Sequence, residues 1–153
     1  MPIFKNPAPV IVGLVFNERD EILTVTRTIK PLGEALPGGY QVKGEDWRTA
    51  LQRELWEEAY VRVSANPSDM PLFDMQTTPS TEQNLTFAVI RPRGLLEVAT
   101  YKPTKETSAR AFRKIGKDNI PRLCFPLHEA AIRKYLAGVP VEMRGICGYS
   151  DIW

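Results

Sequence analysis

Gly39 to Val61 reads GYQVKGEDWRTALQRELWEEAYV, and this stretch governs the rest of the chain. From Asp46 to Tyr60 it holds no Gly or Pro, and Asp46 is a residue type that caps helix starts, so a helix is expected here. On a helical wheel, Trp47, Ala50, Leu51 and Leu55 share one arc, the face for a core. Glu54 and Glu58 fall inside the same arc, and Glu57 lies just beside it. Carboxylates beside a core face repel one another and lose hydration, and the C-terminal end of a helix is its negative pole. Two readings are open on periodicity alone. Either a hard divalent cation compensates the three glutamates, or they are surface charges on a helix that turns another way.

Outward from the helix, Pro9 to Phe16 is a continuous apolar run suited to a buried strand. Asn17 to Asp20 is a turn and Glu21 to Arg27 a second strand, which together read as a hairpin. Thr28 to Ala35, with Pro31 and Gly33, is expected to be a loop, and Leu36-Pro37-Gly38-Gly39-Tyr40 a Gly-rich turn feeding a short strand. Beyond the helix, strands are expected at Val61 to Val63, Leu72 to Thr77, Gln83 to Ile90 and Ala109 to Ile115. Leu127 to Leu136 has helical spacing and is stopped by Gly138 and Pro140, while Val141 to Trp153 carries no pattern. Strands on both sides of a central helix, with a second helix near the end, predict an α/β fold with a mixed sheet between helices.

At 153 residues the chain has the size of a single domain, expected to span 1–153. A formal charge of +2 gives no global field for a stable nucleic-acid partner, and no apolar run approaches the roughly 18–20 residues of a membrane span. The N-terminus has no signal-peptide pattern, and Cys124 and Cys147 have no metal-finger spacing. Two reduced thiols in a cytoplasmic protein are the expectation.

The spacing within the quoted stretch decides between the two readings of the glutamates. Gly39, five residues, Glu45, seven residues, then Arg53-Glu54-Leu55-Trp56-Glu57-Glu58 and, after two more, Val61 resembles the Nudix box, G-x5-E-x7-R-E-U-x-E-E-x-G-U with U aliphatic. Six fixed identities and both aliphatic positions match, against chance odds on the order of one in a million. Tyr60 stands where the family has glycine, a position where positive φ would strain any other residue. Asn6-Pro7, Leu36-Pro37-Gly38 and Phe125-Pro126 also look like bacterial members, so the similarity covers roughly residues 5 to 137.

The resemblance implies a Nudix-type α/β/α sandwich with a mixed β-sheet. It implies Mg²⁺-assisted hydrolysis, with Mn²⁺ as the other candidate ion, of a diphosphate bond in a nucleoside diphosphate linked to X. Glu54, Glu57 and Glu58 would ligate the metal, and one of them, or a later-loop carboxylate for which Glu106 is the candidate, would orient or deprotonate water. Glu45 would assist the metal shell, Arg53 would hold the glutamates by ion pairs, and Gly38 and Gly39 would shape the supporting turn. Arg27 and Lys30 are candidates for substrate phosphates, and His128, the single histidine, is read as structural. Trp47 is read as core and Trp56 as facing another layer; Tyr149 and Trp153 could pack on a dimer mate or stack on a base.

A homodimer is an expectation from the family alone. Two other readings have the same fold: a regulatory nucleotide-binding module without activity, against which the intact charged positions speak, and a diphosphate isomerase. The substrate is not legible. Pro71 comes early and Pro79 late for the proline of ADP-ribose hydrolases, and Gln76-Thr77-Thr78 stands where dinucleoside polyphosphate hydrolases have tyrosine. No coenzyme A or NADH-type signature is present. Nucleoside triphosphates, nucleotide sugars and ADP-ribose remain the candidates.

Overall fold

The computed structural model describes residues 6–63, 70–91 and 96–138. The elements are β1 (Ala8–Val15), β2 (Glu21–Arg27), β3 (Gly33–Ala35), β4 (Gly38–Tyr40), α1 (Trp47–Ala59) and β5 (Val61–Val63). They continue with β6 (Leu72–Thr77), β7 (Gln83–Ile90), β8 (Leu96–Val98), β9 (Thr107–Lys114) and α2 (Pro126–Leu136). A four-stranded mixed sheet has the order β4-β1-β7-β6, a three-stranded sheet the order β3-β2-β9, and β5 pairs with β8.

The apolar run of β1 is continuous because both of its faces are covered. Ile11 and Val15 join Ala50, Leu51 and Leu55 of α1 in one cluster, with Ala88 and Ile90 of β7. Val12, Leu14 and Phe16 join Ala131 and Ile132 of α2 in the other, with Leu85, Phe87 and Val89. The parallel register Val12↔Phe87 and Val15↔Ile90 keeps like faces together. The result is two helical layers over opposite faces of a mixed sheet, as expected.

The hairpin of β1 and β2 differs in a telling way. The turn is closed by a Phe16↔Ile22 bridge, but the strands then part into different sheets. β2 pairs with β3 and β9, so Leu23 and Val25 reach the α1 cluster from the second sheet. Gly33 to Ala35, expected as loop, forms β3, and β8 was not foreseen at all; each has three residues, too few to show a period. The last helix begins at Pro126, one residue before its expected start, with Pro in the first turn where its missing N–H costs nothing. Tyr149, Trp153 and Cys147, and the turn at Asn66 to Asp69, lie outside the described residues. Cys124 is a free thiol, whose pKa burial raises. Among the described residues, no helix is long and apolar enough to cross a membrane.

Candidate active site

Helix α1 starts as its sequence demands: the Asp46 carboxylate accepts from Thr49 N–H at 2.8 Å. Its C-terminal half carries Glu54 and Glu58 on the buried side, 7% and 4% exposed, while Glu57 faces solvent. The wheel had placed the first two inside the apolar arc and the third at its rim, and burial follows that order.

One cation holds the outer part of the site. Arg53 donates from Nε to Glu45 Oε2 at 3.0 Å and from Nη2 to Glu45 Oε1 at 2.7 Å. It also donates from Nη1 to Glu54 at 3.0 Å and Glu57 at 3.1 Å, and from Nη2 to the Tyr40 carbonyl at 3.0 Å. The planar fork of arginine can supply these five bonds at once; lysine cannot. Its hydrogen bonds hold the Glu45 carboxyl down at about 2. Glu45 also accepts from Val42 N–H at 3.0 Å, which ties the loop before α1 to the helix.

Further in, Glu58 has no ion-pair partner among the described residues. Glu58 Oε1 accepts from Gly38 N–H at 2.8 Å, and burial lifts its carboxyl to about 8. Burial likewise lifts Glu54 to about 7, although Arg53 pulls the other way. Glu106, exposed just before β9, brings a carboxylate oxygen to within 4.8 Å of oxygens from Glu54 and Glu58. Glu106 is held there by the next residue. The fully buried Thr107 donates from Oγ1 to the Glu58 carbonyl at 2.8 Å, which joins β9 to the end of α1. Arg110 completes the join with a 2.9 Å bond to the Ala59 carbonyl.

Three converging carboxylates, two of them desolvated, form an all-oxygen donor set suited to a hard divalent cation. A bound cation would compensate the like charges that now raise both buried acids. The residues therefore fit the metal that the sequence implies. Of the expected ligands, Glu54 and Glu58 are in this cluster and Glu57 is not; it lies at the rim on Arg53, and Glu106 takes the third place in the cluster.

Two glycines line the carboxylates because nothing larger fits. A Cβ on Gly39 would lie 2.4 Å from Glu54 Oε1, and a Cβ on Gly38 would lie 2.1 Å from the Ile11 carbonyl oxygen. Tyr60, in the family's glycine position, does adopt φ 55°, ψ 41°. Its ring packs edge-on against Trp56 at 5.3 Å and Tyr101 at 6.0 Å, contacts that offset the strain. Trp47 packs on the α1 core cluster, and Trp56 packs on Tyr60 and under the Arg62 guanidinium, 4.0 Å from the ring centre.

The same glycines border a cleft of about 380 Å³ on the α2 side, with walls that include Val10, Val12, Leu85 and Phe125. Arg27 lines it, 5.0 Å above the Phe125 ring, and its charge acts on both Glu58 and His128. Lys30 is exposed and is not part of the lining. The sequence did not disclose this cleft, because its residues come from segments as far apart as Val10 and His128.

The profile of the NUDIX domain family matches residues 6–134. The chain belongs to that family. Among solved structures, a NUDIX hydrolase from Nitrosomonas europaea superposes with a TM-score of 0.71 at 20% identity, covering 92% of this chain and 78% of that one. A MutT NUDIX hydrolase from Burkholderia pseudomallei gives 0.64 at 17% identity, covering 84% and 97%. An ADP-ribose pyrophosphatase from Streptococcus suis gives 0.59 at 20% identity, covering 85% and 92%. A sequence search of curated proteins returned no match. The NUDIX family is one of hydrolases, and these structural neighbours are named as such.

Proposed function

We propose that this NUDIX chain hydrolyses a diphosphate bond in a nucleoside diphosphate linked to a further group X, with Mg²⁺ or Mn²⁺ held at Glu54, Glu58 and Glu106. One observation carries the reading: two carboxylates of α1 and one just before β9 converge, and among the described residues the two buried ones have no ion-pair partner beyond the Arg53 contact to Glu54. When bound, the ion neutralises diphosphate charge and lowers the pKa of water.

The residues of the chain divide the remaining work. Arg53 and Glu45 lock the loop before α1 onto the helix and fix the angle of Glu54. Gly38 N–H orients Glu58. Glu57 and Glu106 are the two solvent-facing carboxylates, and the attacking water is oriented by one of them, which takes its proton. Arg27 lines the cleft and donates from Nε to the Pro31 carbonyl and from Nη2 to the Lys30 carbonyl, which leaves Nη1 to meet phosphate oxygens.

The test is turnover of a panel of nucleoside triphosphates, ADP-ribose, nucleotide sugars and dinucleoside polyphosphates, with Mg²⁺, Mn²⁺ or EDTA. Metal-dependent cleavage, abolished by EDTA and reduced at least a hundredfold in Glu58→Gln, is the expected result. Nucleotide binding without cleavage of any member would favour a regulatory module of the same fold.

A further inference from the structure

Thr28, the first residue after β2, clips two loops together at the acidic cluster. Its N–H donates to the Glu106 carbonyl at 2.9 Å and its Oγ1 to the Lys105 carbonyl at 2.5 Å. Its neighbour Arg27 donates to the carbonyls of Pro31 at 2.9 Å and Lys30 at 3.4 Å. The backbone of residues 28–32 is thus fastened beside that of residues 105 and 106, and Glu106 is one of the three converging carboxylates.

The polar side chains left over on this rim are of one kind. In Thr28-Ile29-Lys30-Pro31-Leu32 and Lys102-Pro103-Thr104-Lys105 both hydroxyls are engaged. Thr28 is spent on Lys105, and Thr104 Oγ1 accepts the N–H of Glu106 at 3.1 Å and of Thr107 at 2.9 Å. Ile29 and Leu32 are 50% and 62% exposed and offer no polar atom. Lys30, Lys102 and Lys105 are exposed, and among the described residues none of them has an ion-pair partner, whereas Arg53, Arg113, Arg133 and Lys134 do. An ammonium group only donates, so it suits phosphate oxygens and leaves the protons of sugar hydroxyls without acceptors.

We infer that Lys30 and Lys105, with Lys102 beside them, are specificity-determining residues that select an anionic X: at least one phosphate beyond the scissile diphosphate, and not a neutral sugar. Such selection rests on the proposed function, which places the scissile diphosphate at the acidic cluster. Nucleoside triphosphates and dinucleoside polyphosphates carry a phosphate of this kind, whereas X is uncharged in ADP-ribose and ADP-glucose.

The experiment is isothermal titration calorimetry in Mg²⁺ with α,β-methylene ADP, α,β-methylene ATP and α,β-methylene ADP-ribose. The carbon bridge resists hydrolysis, so binding is read apart from turnover, and the shared base cancels from each ratio. Where the adenine pair of diphosphate and triphosphate binds too weakly to measure, the guanine, cytosine or uracil pair replaces it. In the wild type the triphosphate analogue should bind about tenfold more tightly than the diphosphate analogue, and the ribose analogue no more tightly than the diphosphate. A terminal phosphate held by the metal alone would keep its advantage in every variant. The expected result is a fall to within about twofold in Lys30→Gln/Lys102→Gln/Lys105→Gln, with the advantage retained when the three are changed to Arg. High salt should also shrink it.

An undiminished advantage in the glutamine variant would overturn the inference. So would no advantage in the wild type, a gain from ribose equal to that from phosphate, or no binding by any analogue. Metal-dependent hydrolysis of the substrate panel beside any of these would spare the proposed function. A lysine-dependent advantage without hydrolysis of any diphosphate would do the reverse. Methylene-bridged diadenosine tetraphosphate separates the two sources of the phosphate: tighter binding than α,β-methylene ATP points to the dinucleoside, weaker binding to the triphosphate, and each upholds the inference.

Discussion

A Cβ added at Gly39 would strike the Glu54 carboxylate, the end of a flexible side chain, whereas one at Gly38 would strike the backbone of Ile11. The first can yield and the second cannot. Gly39→Ala is therefore expected to fold, with a melting temperature within a few degrees of wild type, but to lose most metal-dependent activity. Gly38→Ala is expected to cost stability outright, by about 2 kcal/mol or more in urea unfolding. Tyr60 offers a second comparison. Tyr60→Ala keeps the left-handed backbone strain and loses the packing on Trp56 and Tyr101, whereas Tyr60→Gly also removes the strain. Alanine should be the less stable by about 1 kcal/mol, a difference that chemical denaturation resolves. At this scale the sequence was most informative where a motif fixed a position. The motif singles out Glu45, Arg53, Glu54 and Glu58, and the glycine position taken by Tyr60 is indeed left-handed. His128 was read as structural, and the Leu36 N–H that its Nδ1 accepts gives it such a part. That bond spans 92 positions, and no local pattern could show it.

Among elements, the join between β9 and the end of α1 sets where Glu106 meets Glu54 and Glu58. Thr107 Oγ1 donates to the Glu58 carbonyl and is within 3.0 Å of the Tyr101 hydroxyl and 3.1 Å of Thr104 Oγ1. Thr107→Val is nearly isosteric and removes all three contacts. It should cost about 1–3 kcal/mol and weaken metal binding by letting Glu106 drift, measurable by thermal melts and by metal titration. The long elements were legible in the sequence because each bears a full pattern: the apolar run of β1, the gap in Gly and Pro that marks α1, the helical spacing of α2. The departure of β2 from β1 was not. A turn sequence reports that two strands reverse direction, and which sheet each then joins depends on β9, more than eighty positions away. The three-residue strands β3 and β8 carry too few side chains to register any period.

For the molecule as a whole, the buried glutamates make stability depend on pH in a particular direction. Glu54 and Glu58 have folded-state values of about 7 and 8, above the ordinary 4.5. The stability they contribute is fully present below 4.5 and is lost as pH rises through 7 to 8. His128 acts in the opposite sense, since burial depresses its value from 6.5 to about 3; its share is present above 6.5 and is lost as pH falls. Between about pH 6.5 and 8 the glutamates dominate, so the metal-free protein should melt progressively lower across that interval. A divalent cation competes with the same protons, and the rise in melting temperature that it brings should grow over the same interval. Glu58→Gln, which keeps an acceptor for Gly38 N–H, should flatten the metal-free slope and melt about 2–4 °C higher than wild type at pH 8. The stabler variant would thus be the less active one.

A divalent cation held jointly by Glu54, Glu58 and Glu106 is the centre of the proposed chemistry. Titration of the metal-free protein with Mn²⁺ at pH 8, followed by the electron paramagnetic resonance signal of the free ion, measures this directly. Saturable binding is expected, weakened at least tenfold in each of Glu54→Gln, Glu58→Gln and Glu106→Gln when the variants are folded. Undiminished Mn²⁺ affinity in all three variants, or no binding by the wild type, would contradict it.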